Sequence, residues 1–297
     1  MDPHIDRRQF QLALELARSE DLGPFGDLTS RLLPESTYSS TGTWQLVSRQ
    51  AGRFCGKSIL PDLLAALAPE VRLAWIDPQA EAVDVAAGKP IARFEGRVNQ
   101  MLVAERTILN FLDHLSGIAT LTSRFVRAVS GTHAKIYDTR KTTPGLRTLE
   151  KYAVRCGGGH SHRIGLYDAV LIKDNHLAGI PRERIAHAVF EMLGKVRTLP
   201  ATPAFVEVEC DTLEQFEELL KVVGIDVILL DNFHHEDLRT AVQRRDEVGL
   251  RGKIELEASG GVTLATARLI AETGVERIAV GAITHSAPIL DLGLDAV

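Results

Sequence analysis

The chain has 297 residues, of which 45% are hydrophobic and 25% are charged, and its formal net charge is −5. This length suffices for one large or two modest domains with a substantial buried core. The mildly acidic balance excludes a global positive field for binding nucleic acid, so the cationic residues must act locally on something small.

The cysteines and the N-terminus favour a reducing compartment. Cys55, Cys156 and Cys210 are odd in number and have no CxxC spacing, which argues against a disulfide framework and a zinc site. The first residues, MDPHIDRRQF, contain no apolar signal-peptide core, and no 18-residue apolar stretch follows. We therefore expect a soluble cytoplasmic protein without a membrane partner.

The N-terminal part of the chain predicts a small α/β unit. Apolar residues at helical spacing predict a helix over residues 5–19. Short β-prone runs such as TWQLVS and VRLAWI, broken by glycine and proline, follow within residues 43–100. A strongly periodic helix is then predicted from Ala104 to Leu121.

From residue 134, strand-like and helical patterns alternate. The strand-like runs are AKIYD (from 134), AVLIK (169), FVEVE (205), VILLD (227), IELEA (254) and RIAVG (277). The helical patterns are Arg182 to Val196, Leu213 to Val223, Glu236 to Arg245 and Leu264 to Glu272. This alternation predicts parallel strands with crossover helices. The pattern alone leaves open a β/α barrel two strands short of eight or a doubly wound sheet.

Each of these strands ends in a polar or small residue. These residues are Asp138, Lys173, Glu209, Asp231, Ser259 and Gly281. Because the carboxyl ends of barrel strands form the active site in β/α barrels, we expect these residues to meet at one functional face.

The run from Asp138 to His176 is rich in both cations and glycines. Arg140, Lys141, Arg163 and Lys173 lie beside apolar strand-like runs rather than in a lysine-rich tail. Since an unpaired buried cation is costly, this arrangement indicates a bound anion. The rigid fork of arginine suits planar carboxylates. A basic turn paired with Asp138 is the simpler alternative for Arg140 and Lys141.

Acidic and glycine-rich segments provide the other candidate residues. Glu207 and Glu209 alternate with valines, so both carboxylates lie on one strand face, which we predict points inward. Late loops with glycine can bind a phosphate through backbone N–H groups, although a plain tight turn is the alternative. The candidate phosphate residues are Ser259, Gly260, Gly281 and Ala282.

These residues lie in motifs that resemble the quinolinate phosphoribosyltransferase family, also named nicotinate-nucleotide pyrophosphorylase (carboxylating). The motifs are EDLGPFGDLTS, AERTILNFLDHLSGIAT, DTRKTTPG, KYAVRCGGG, SHR, LIKDNH, VEVECDTLEQ, LLDNF, EASGG and VGAITHSAP. They occur in the family's order and span nearly the whole chain. The resemblance implies an open, incomplete β/α barrel over residues 121–284 and a smaller N-terminal α/β sandwich domain over 1–120. The sandwich domain would make the dimer contact, with residues 285–297 packing back on it.

The resemblance also implies an activity and roles for single residues. The expected reaction joins quinolinate to phosphoribosyl pyrophosphate and gives nicotinate mononucleotide, pyrophosphate and CO₂ in NAD biosynthesis. Glu209 and Asp231 would hold the ribose hydroxyls and Mg²⁺, and Lys141 would bridge the diacid and the pyrophosphate. The residues implied to orient the diacid are Arg106, Arg140, His162, Arg163 and Lys173.

Three residues have less definite roles. The resemblance implies that Arg106, which alone would pass for a solvated helix charge, reaches the active site of the neighbouring subunit in a homodimer. Whether Glu207 serves the site or balances Lys173 or Lys141 stays open, as does whether His160 contacts substrate.

Two alternative functions stay open. One is a phosphoribosyltransferase for a related monoacid or base, against which the number of cations argues. The other is a non-catalytic barrel that binds an anionic metabolite. Such a protein need not combine Glu209 and Asp231 with the diacid cations, as this chain does.

Overall fold

A computed structural model describes residues 2, 4–77 and 81–297 of the chain. In this part of the chain the strands are β1 (Thr41–Ser48), β2 (Gly52–Arg53), β3 (Arg72–Trp75), β4 (Asp84–Val85), β5 (Pro90–Arg97), β6 (Lys135–Tyr137), β7 (Val170–Ile172), β8 (Val206–Cys210), β9 (Val227–Asp231), β10 (Glu255–Ser259), β11 (Arg277–Ala279) and β12 (Leu292–Ala296). The α-helices are α1 (Arg7–Leu22), α2 (Glu35–Tyr38), α3 (Leu60–Leu67), α4 (Val98–Ala128), α5 (Arg147–Cys156), α6 (Asp174–Leu177), α7 (Arg182–Gly194), α8 (Leu213–Leu219), α9 (His235–Glu247), α10 (Leu264–Ala271) and α11 (Ala282–His285).

The chain divides into two compact units. The first consists of Met1–Ser123, Thr142–Gly158 and Ile283–Val297, and the second of Arg124–Lys141 and Gly159–Ala282. The chain therefore enters the first unit three times, whereas the sequence predicts a single boundary near residue 120 followed by a return of the C-terminus.

The segment Thr142–Gly158 belongs to the first unit because its helix α5 is anchored there. Glu150 Oε1 lies 2.9 Å from Nε2 of His114 on α4, and Tyr152 donates a hydrogen bond to Glu81. Glu150 also accepts the backbone N–H of Thr143 at 3.1 Å. The sequence places this segment in the barrel domain.

The first unit is built on an antiparallel sheet with the order β12-β1-β5-β3. The C-terminal strand β12 pairs with β1 from Trp44↔Ala296 to Ser48↔Leu292. On α4, buried apolar residues recur at three- and four-residue spacing, as expected for one helix face. They include Ala104, Ile108, Leu112, Leu115 and Ile118.

The second unit contains six parallel strands in the order β6-β11-β10-β9-β8-β7. The helices α7 to α10 lie between successive strands in the chain, as in β/α units. Strands β6 and β7 are the two ends of this sheet, so the barrel is open. The predicted fold class, an open β/α barrel with a smaller α/β domain, is confirmed.

Side chains alternate between the two faces of each barrel strand. Leu229 and Asp231 of β9 and Glu257 and Ser259 of β10 line the same cavity. The intervening Leu230 and Ala258 are buried outside that lining. Among the helices of the described residues, none has both the length and the apolar character needed to cross a bilayer.

Candidate active site

A cavity of about 400 Å³ lies in the barrel unit, lined by residues at and after the carboxyl ends of its strands. Eight of the predicted site residues line it: Arg140, Lys141, His162, Arg163, Lys173, Glu209, Asp231 and Ser259. Thr139 and the apolar side chains of Leu171, Leu229 and Ala279 also line it. Residues far apart in sequence therefore meet where the strand ends predict a site.

One side of the pocket is cationic. Arg163 is only 7% exposed, and its guanidinium donates a 3.4 Å hydrogen bond to the carbonyl of Ala169. Burial lowers the pKa of Arg163, and the nearby charge of Arg140 lowers it further, against the opposing charges of Glu207 and Asp168. Nε of Arg140 is buried and has no acceptor among the described residues. Two close guanidiniums with a spare buried donor suit an anionic ligand.

The other side is acidic. Carboxylate oxygens of Glu209, Asp211 and Asp231 lie within 4.8 Å of one another. Burial raises the pKa of Glu209, although Lys173, whose Nζ is 3.3 Å from a carboxylate oxygen of Glu209, opposes the shift. Burial also raises the pKa of Asp211, and the neighbouring charges of Asp174 and Asp231 add to it. Like charges at this spacing favour a bound cation.

Below these two sides lies a fully buried pair of glutamates. Glu207 and Glu257 are both 0% exposed, and His162 Nε2 lies 2.9 Å from Glu207 and 3.5 Å from Glu257. The backbone N–H of His162 donates to Asp138 at 2.8 Å. The sequence leaves the role of Glu207 open, and the structure places its carboxylate against His162.

The loop after β10 is shaped by glycine. Gly260 has φ +94°, and an added Cβ would overlap the Asn232 side chain and come within 2.9 Å of the Asn232 backbone nitrogen. Asn232 has φ +57°, donates its backbone N–H to the carbonyl of Ser259 at 2.9 Å, and its side chain donates to Asp231. Gly260 thus lets this loop approach Asn232, the first residue after β9.

Family models match almost all of the chain. The model described as quinolinate phosphoribosyl transferase, C-terminal domain, matches residues 118–295, and that of the N-terminal domain matches residues 27–116. The chain belongs to the quinolinate phosphoribosyltransferase family.

Individual relatives agree with this assignment. The chain is 50% identical over 211 residues to the nicotinate-nucleotide pyrophosphorylase (carboxylating) of Mycobacterium leprae (strain TN), with 70% of each chain covered. It is 38% identical to a probable enzyme of the same name from Bacillus subtilis (strain 168), covering 93% of this chain and 89% of the relative. The structure of the nicotinate-nucleotide pyrophosphorylase from Francisella tularensis matches with a TM-score of 0.86 at 36% identity, covering 99% of this chain and 98% of that one.

In this member of the quinolinate phosphoribosyltransferase family, some predicted site residues lie outside the pocket lining. Arg106 is exposed on α4, in the part of that helix that belongs to the first unit. Gly260, Gly281 and Ala282 follow β10 and β11 without lining the cavity. His160 is exposed, its ring centroid is 5.2 Å from that of Tyr137, and it is not a lining residue either.

Two acidic residues were missed by the sequence reasoning. Asp211 and Glu257 each lie two positions from a predicted site residue, Glu209 and Ser259 respectively. The period-two rule that places Glu207 and Glu209 on one face would have found Glu257 on β10. Asp211 lies beyond the end of β8, where strand alternation no longer predicts direction.

Proposed function

We propose that the protein transfers the phosphoribosyl group of phosphoribosyl pyrophosphate to quinolinate, with loss of CO₂, to give nicotinate mononucleotide for NAD biosynthesis. The observation that supports this most is a single pocket lined by the buried Arg163, by Arg140 and by the carboxylates of Glu209 and Asp231. Quinolinate is a diacid, and phosphoribosyl pyrophosphate has hydroxyls and phosphates that such groups bind.

The cationic side binds and orients the diacid. Arg140 is close enough for its charge to lower the pKa of Arg163, so together the two guanidiniums can pair with two adjacent carboxylates. Lys173 and His162 complete this side. Lys141, which also lines the pocket, bridges the diacid and the pyrophosphate. A monoacid would leave part of this charge uncompensated, which disfavours a nicotinate-type substrate.

The acidic side binds the ribose and fits Mg²⁺. Glu209 and Asp231 accept hydrogen bonds from ribose hydroxyls, and together with Asp211 they offer the oxygen ligands that this ion prefers. When bound, Mg²⁺ neutralises part of the charge on the departing pyrophosphate. Ser259, Gly260, Gly281 and Ala282 are the proposed ligands of the 5′-phosphate.

The reaction needs positioned charge more than acid–base catalysis at the ribosyl transfer step. The pyridine nitrogen is itself the nucleophile, so no general base is required. Carboxylates near the anomeric carbon stabilise the oxocarbenium-like sugar as pyrophosphate leaves. The ring nitrogen then becomes positive and stabilises the carbanion that remains when the adjacent carboxylate departs as CO₂.

The enzyme is also proposed to be a homodimer in which Arg106 serves the active site of the neighbouring subunit. In the first unit, Leu12 and Leu16 of α1 are 57% and 63% exposed and line an apolar cavity of about 500 Å³ with Phe111 of α4. Exposed apolar patches of this kind are typical of protein interfaces.

The cytoplasm is the proposed location, which the three free, buried cysteines support.

A substrate panel tests the proposed reaction. Pyrophosphate release is measured with phosphoribosyl pyrophosphate and either quinolinate, nicotinate or a pyrimidine base. We expect release with quinolinate alone. Equal release with nicotinate would favour a monoacid enzyme, and no release with any acceptor would favour a protein that only binds anions.

Removal of Mg²⁺ tests the metal. Turnover should stop in excess chelator and return when Mg²⁺ is added, and Asp231→Asn should raise the Mg²⁺ concentration needed for half-maximal rate. Full activity in chelator would mean that the acidic group has another role.

A further inference from the structure

Glu257 is a buried carboxyl group at the floor of the pocket. It lies on β10, it is 0% exposed, and it is among the residues that line the cavity. Its close neighbours are His162, with Nε2 at 3.5 Å, and Glu207. Apart from these contacts with His162, no residue that the structure describes gives either glutamate side chain a hydrogen bond.

The imidazole of His162 cannot compensate two negative charges. Its Nδ1 accepts a 2.8 Å hydrogen bond from the backbone N–H of Arg163. This leaves Nε2 as the one ring nitrogen that contacts both carboxyl groups. Two fully buried carboxylates that share one imidazole nitrogen would be very costly, so one of them must be protonated.

The protonated group is Glu257. Nε2 of His162 is nearer to Glu207, at 2.9 Å, than to Glu257, at 3.5 Å, and of the two glutamates only Glu257 lines the pocket. Burial raises the pKa of Glu257 well above its usual range, and the charge of Glu207 adds to that increase. Arg277 acts in the opposite direction, while Asp138 and Glu255 raise the pKa further.

The guanidinium of Arg277 makes its close contacts with groups other than Glu257. Its Nε donates to Glu255, and its guanidinium lies 4.9 Å from the ring centroid of Tyr137 and 5.4 Å from that of Phe205. The pocket floor therefore presents a neutral carboxylic acid beneath a row of cations.

We propose that Glu257 is the catalytic acid of the decarboxylation step, an inference that rests on the proposed function. The bond between the ring carbon and its carboxylate breaks, CO₂ leaves, and the electron pair stays on the ring carbon. That carbon then takes the proton of Glu257, and the O–H electron pair remains on the carboxylate. Solvent restores the proton after the product leaves.

The charges explain why a neutral acid suits this step. Before proton transfer, the ring has a positive nitrogen and a negative carbon, and Glu257 is neutral. Afterwards the ring is a cation and Glu257 is an anion below it, so the new charges attract. Lys141 and Lys173 are positive and hold the anionic substrate groups, so loss of a proton from either would weaken that binding.

A single-turnover experiment separates the two chemical steps. Enzyme in excess is mixed with phosphoribosyl pyrophosphate and quinolinate labelled in the departing carboxylate, and pyrophosphate and CO₂ are followed together. Glu257→Gln, which has nearly the same shape but no acid proton, should release pyrophosphate at about the normal rate. Nicotinate mononucleotide formation should fall by about a hundredfold, the loss expected for removal of a general acid. The dicarboxylated mononucleotide should accumulate.

Glu95→Gln is the matched control, because Glu95 is an exposed strand carboxylate on β5 and is not a pocket residue. It should leave both rates close to normal. Glu257→Asp keeps an acid and should regain part of the CO₂ release. In the wild type the rate of CO₂ release should fall at high pH as Glu257 loses its proton, and Glu257→Gln should lack this fall.

Parallel loss of pyrophosphate and CO₂ release in Glu257→Gln would contradict the proposal, as would normal rates for both. If Glu257→Gln does not fold, the pH dependence of CO₂ release is measured in Glu257→Asp instead. An alkaline fall at the same pH as in the wild type would contradict the role of Glu257 as the acid. Failure of the wild type to form pyrophosphate would instead overturn the proposed function itself.

Discussion

Arg163 is a cation in an almost closed part of the pocket, with 7% of the residue exposed. Its pKa is lowered by burial, yet an arginine stays charged, so the cost of burying it is recovered only when an anion binds. We predict that Arg163→Ala weakens quinolinate binding tenfold or more, since a charge-assisted hydrogen bond contributes about 1.5–3 kcal/mol. Binding of phosphoribosyl pyrophosphate should change little.

Isothermal titration calorimetry checks this prediction with each ligand in turn. Arg251→Ala is the control, since Arg251 is exposed and its guanidinium lies 3.7 Å from Asp246, away from the pocket. An unchanged affinity for quinolinate in Arg163→Ala would rule out Arg163 as a diacid ligand.

At the residue scale, many lining residues could be predicted because side chains alternate between the two faces of each parallel strand, so only every second residue can face the pocket. Eight of the predicted residues line one cavity. The environment of His162 could not be predicted, because its neighbours Glu207 and Glu257 come from two other strands. Arg147 and Lys151 belong to the same cationic run but lie on α5 in the first unit, and no spacing rule separates them from the pocket cations.

At the element scale, the close approach of two loops depends on Gly260. We predict that Gly260→Ala lowers the melting temperature and raises the KM for phosphoribosyl pyrophosphate, because the new Cβ would push Asn232 away and disturb its bond to Asp231. The cost is expected to be about 1–3 kcal/mol from the positive φ, with the overlap in addition.

Gly261→Ala is the control for Gly260→Ala. Gly261 has φ +57° but no atom within 4 Å of an added Cβ, so only the backbone strain applies. Thermal unfolding and KM are measured for both variants. Equal changes in melting temperature and KM for Gly260→Ala and Gly261→Ala would show that the close approach of Gly260 to Asn232 does not matter for function.

The packing of α4 against the C-terminal segment makes stability depend on pH. Burial raises the pKa of Asp113 to about 6 from 3.8, although the side chain accepts the backbone N–H of Leu292 at 3.2 Å. Since the folded pKa is above the unfolded one, this proton stabilises the fold fully below about pH 3.8, and the benefit is lost as the pH rises through about 6.

Asp113→Asn should therefore be more stable than the wild type at pH 8, by about 1–3 kcal/mol at roughly 1.4 kcal/mol per pKa unit. The difference should shrink towards pH 4. Urea unfolding at several pH values measures it, with Asp62→Asn, an exposed carboxylate on α3, as the control. A difference that does not vary with pH would contradict the buried charge at Asp113.

Element prediction succeeded where a pattern is local and failed where it is not. The six barrel strands are runs of apolar β-formers, and each is found in the structure. Helix α5 was missed because its polar residues Glu150 and Lys151 are fully buried, which inverts the usual amphipathic pattern. Strand β12 is a short segment with a glycine, and only its pairing with β1, more than 240 residues earlier, defines it.

At the scale of the whole molecule, the predicted boundary near residue 120 with a returning C-terminus leaves out the segment Thr142–Gly158, which also belongs to the first unit. Which unit a helix joins depends on contacts between distant residues, such as Tyr152 with Glu81, that composition does not reveal. The open form of the barrel followed from the family resemblance, since six alternating units also fit a doubly wound sheet.

The proposed role of Arg106 predicts how two inactive variants behave in a mixed dimer. If Arg106 serves the neighbouring subunit in a two-fold dimer, a mixed dimer of Arg106→Ala and Lys141→Ala has one site with both groups and one with neither. Co-refolding the two inactive variants should then restore part of the activity, with each variant refolded alone as the control. Heterodimers as inactive as their parents would show that each site is built from one chain.

The stoichiometry of the complete reaction tests the central claim most directly. The purified protein is given Mg²⁺, phosphoribosyl pyrophosphate and quinolinate labelled in the carboxylate next to the ring nitrogen. Labelled CO₂, pyrophosphate and nicotinate mononucleotide are then measured over time. We predict that the three products form in equal amounts and only when both substrates are present. Pyrophosphate formed without CO₂, or the absence of any product with both substrates present, would contradict the account.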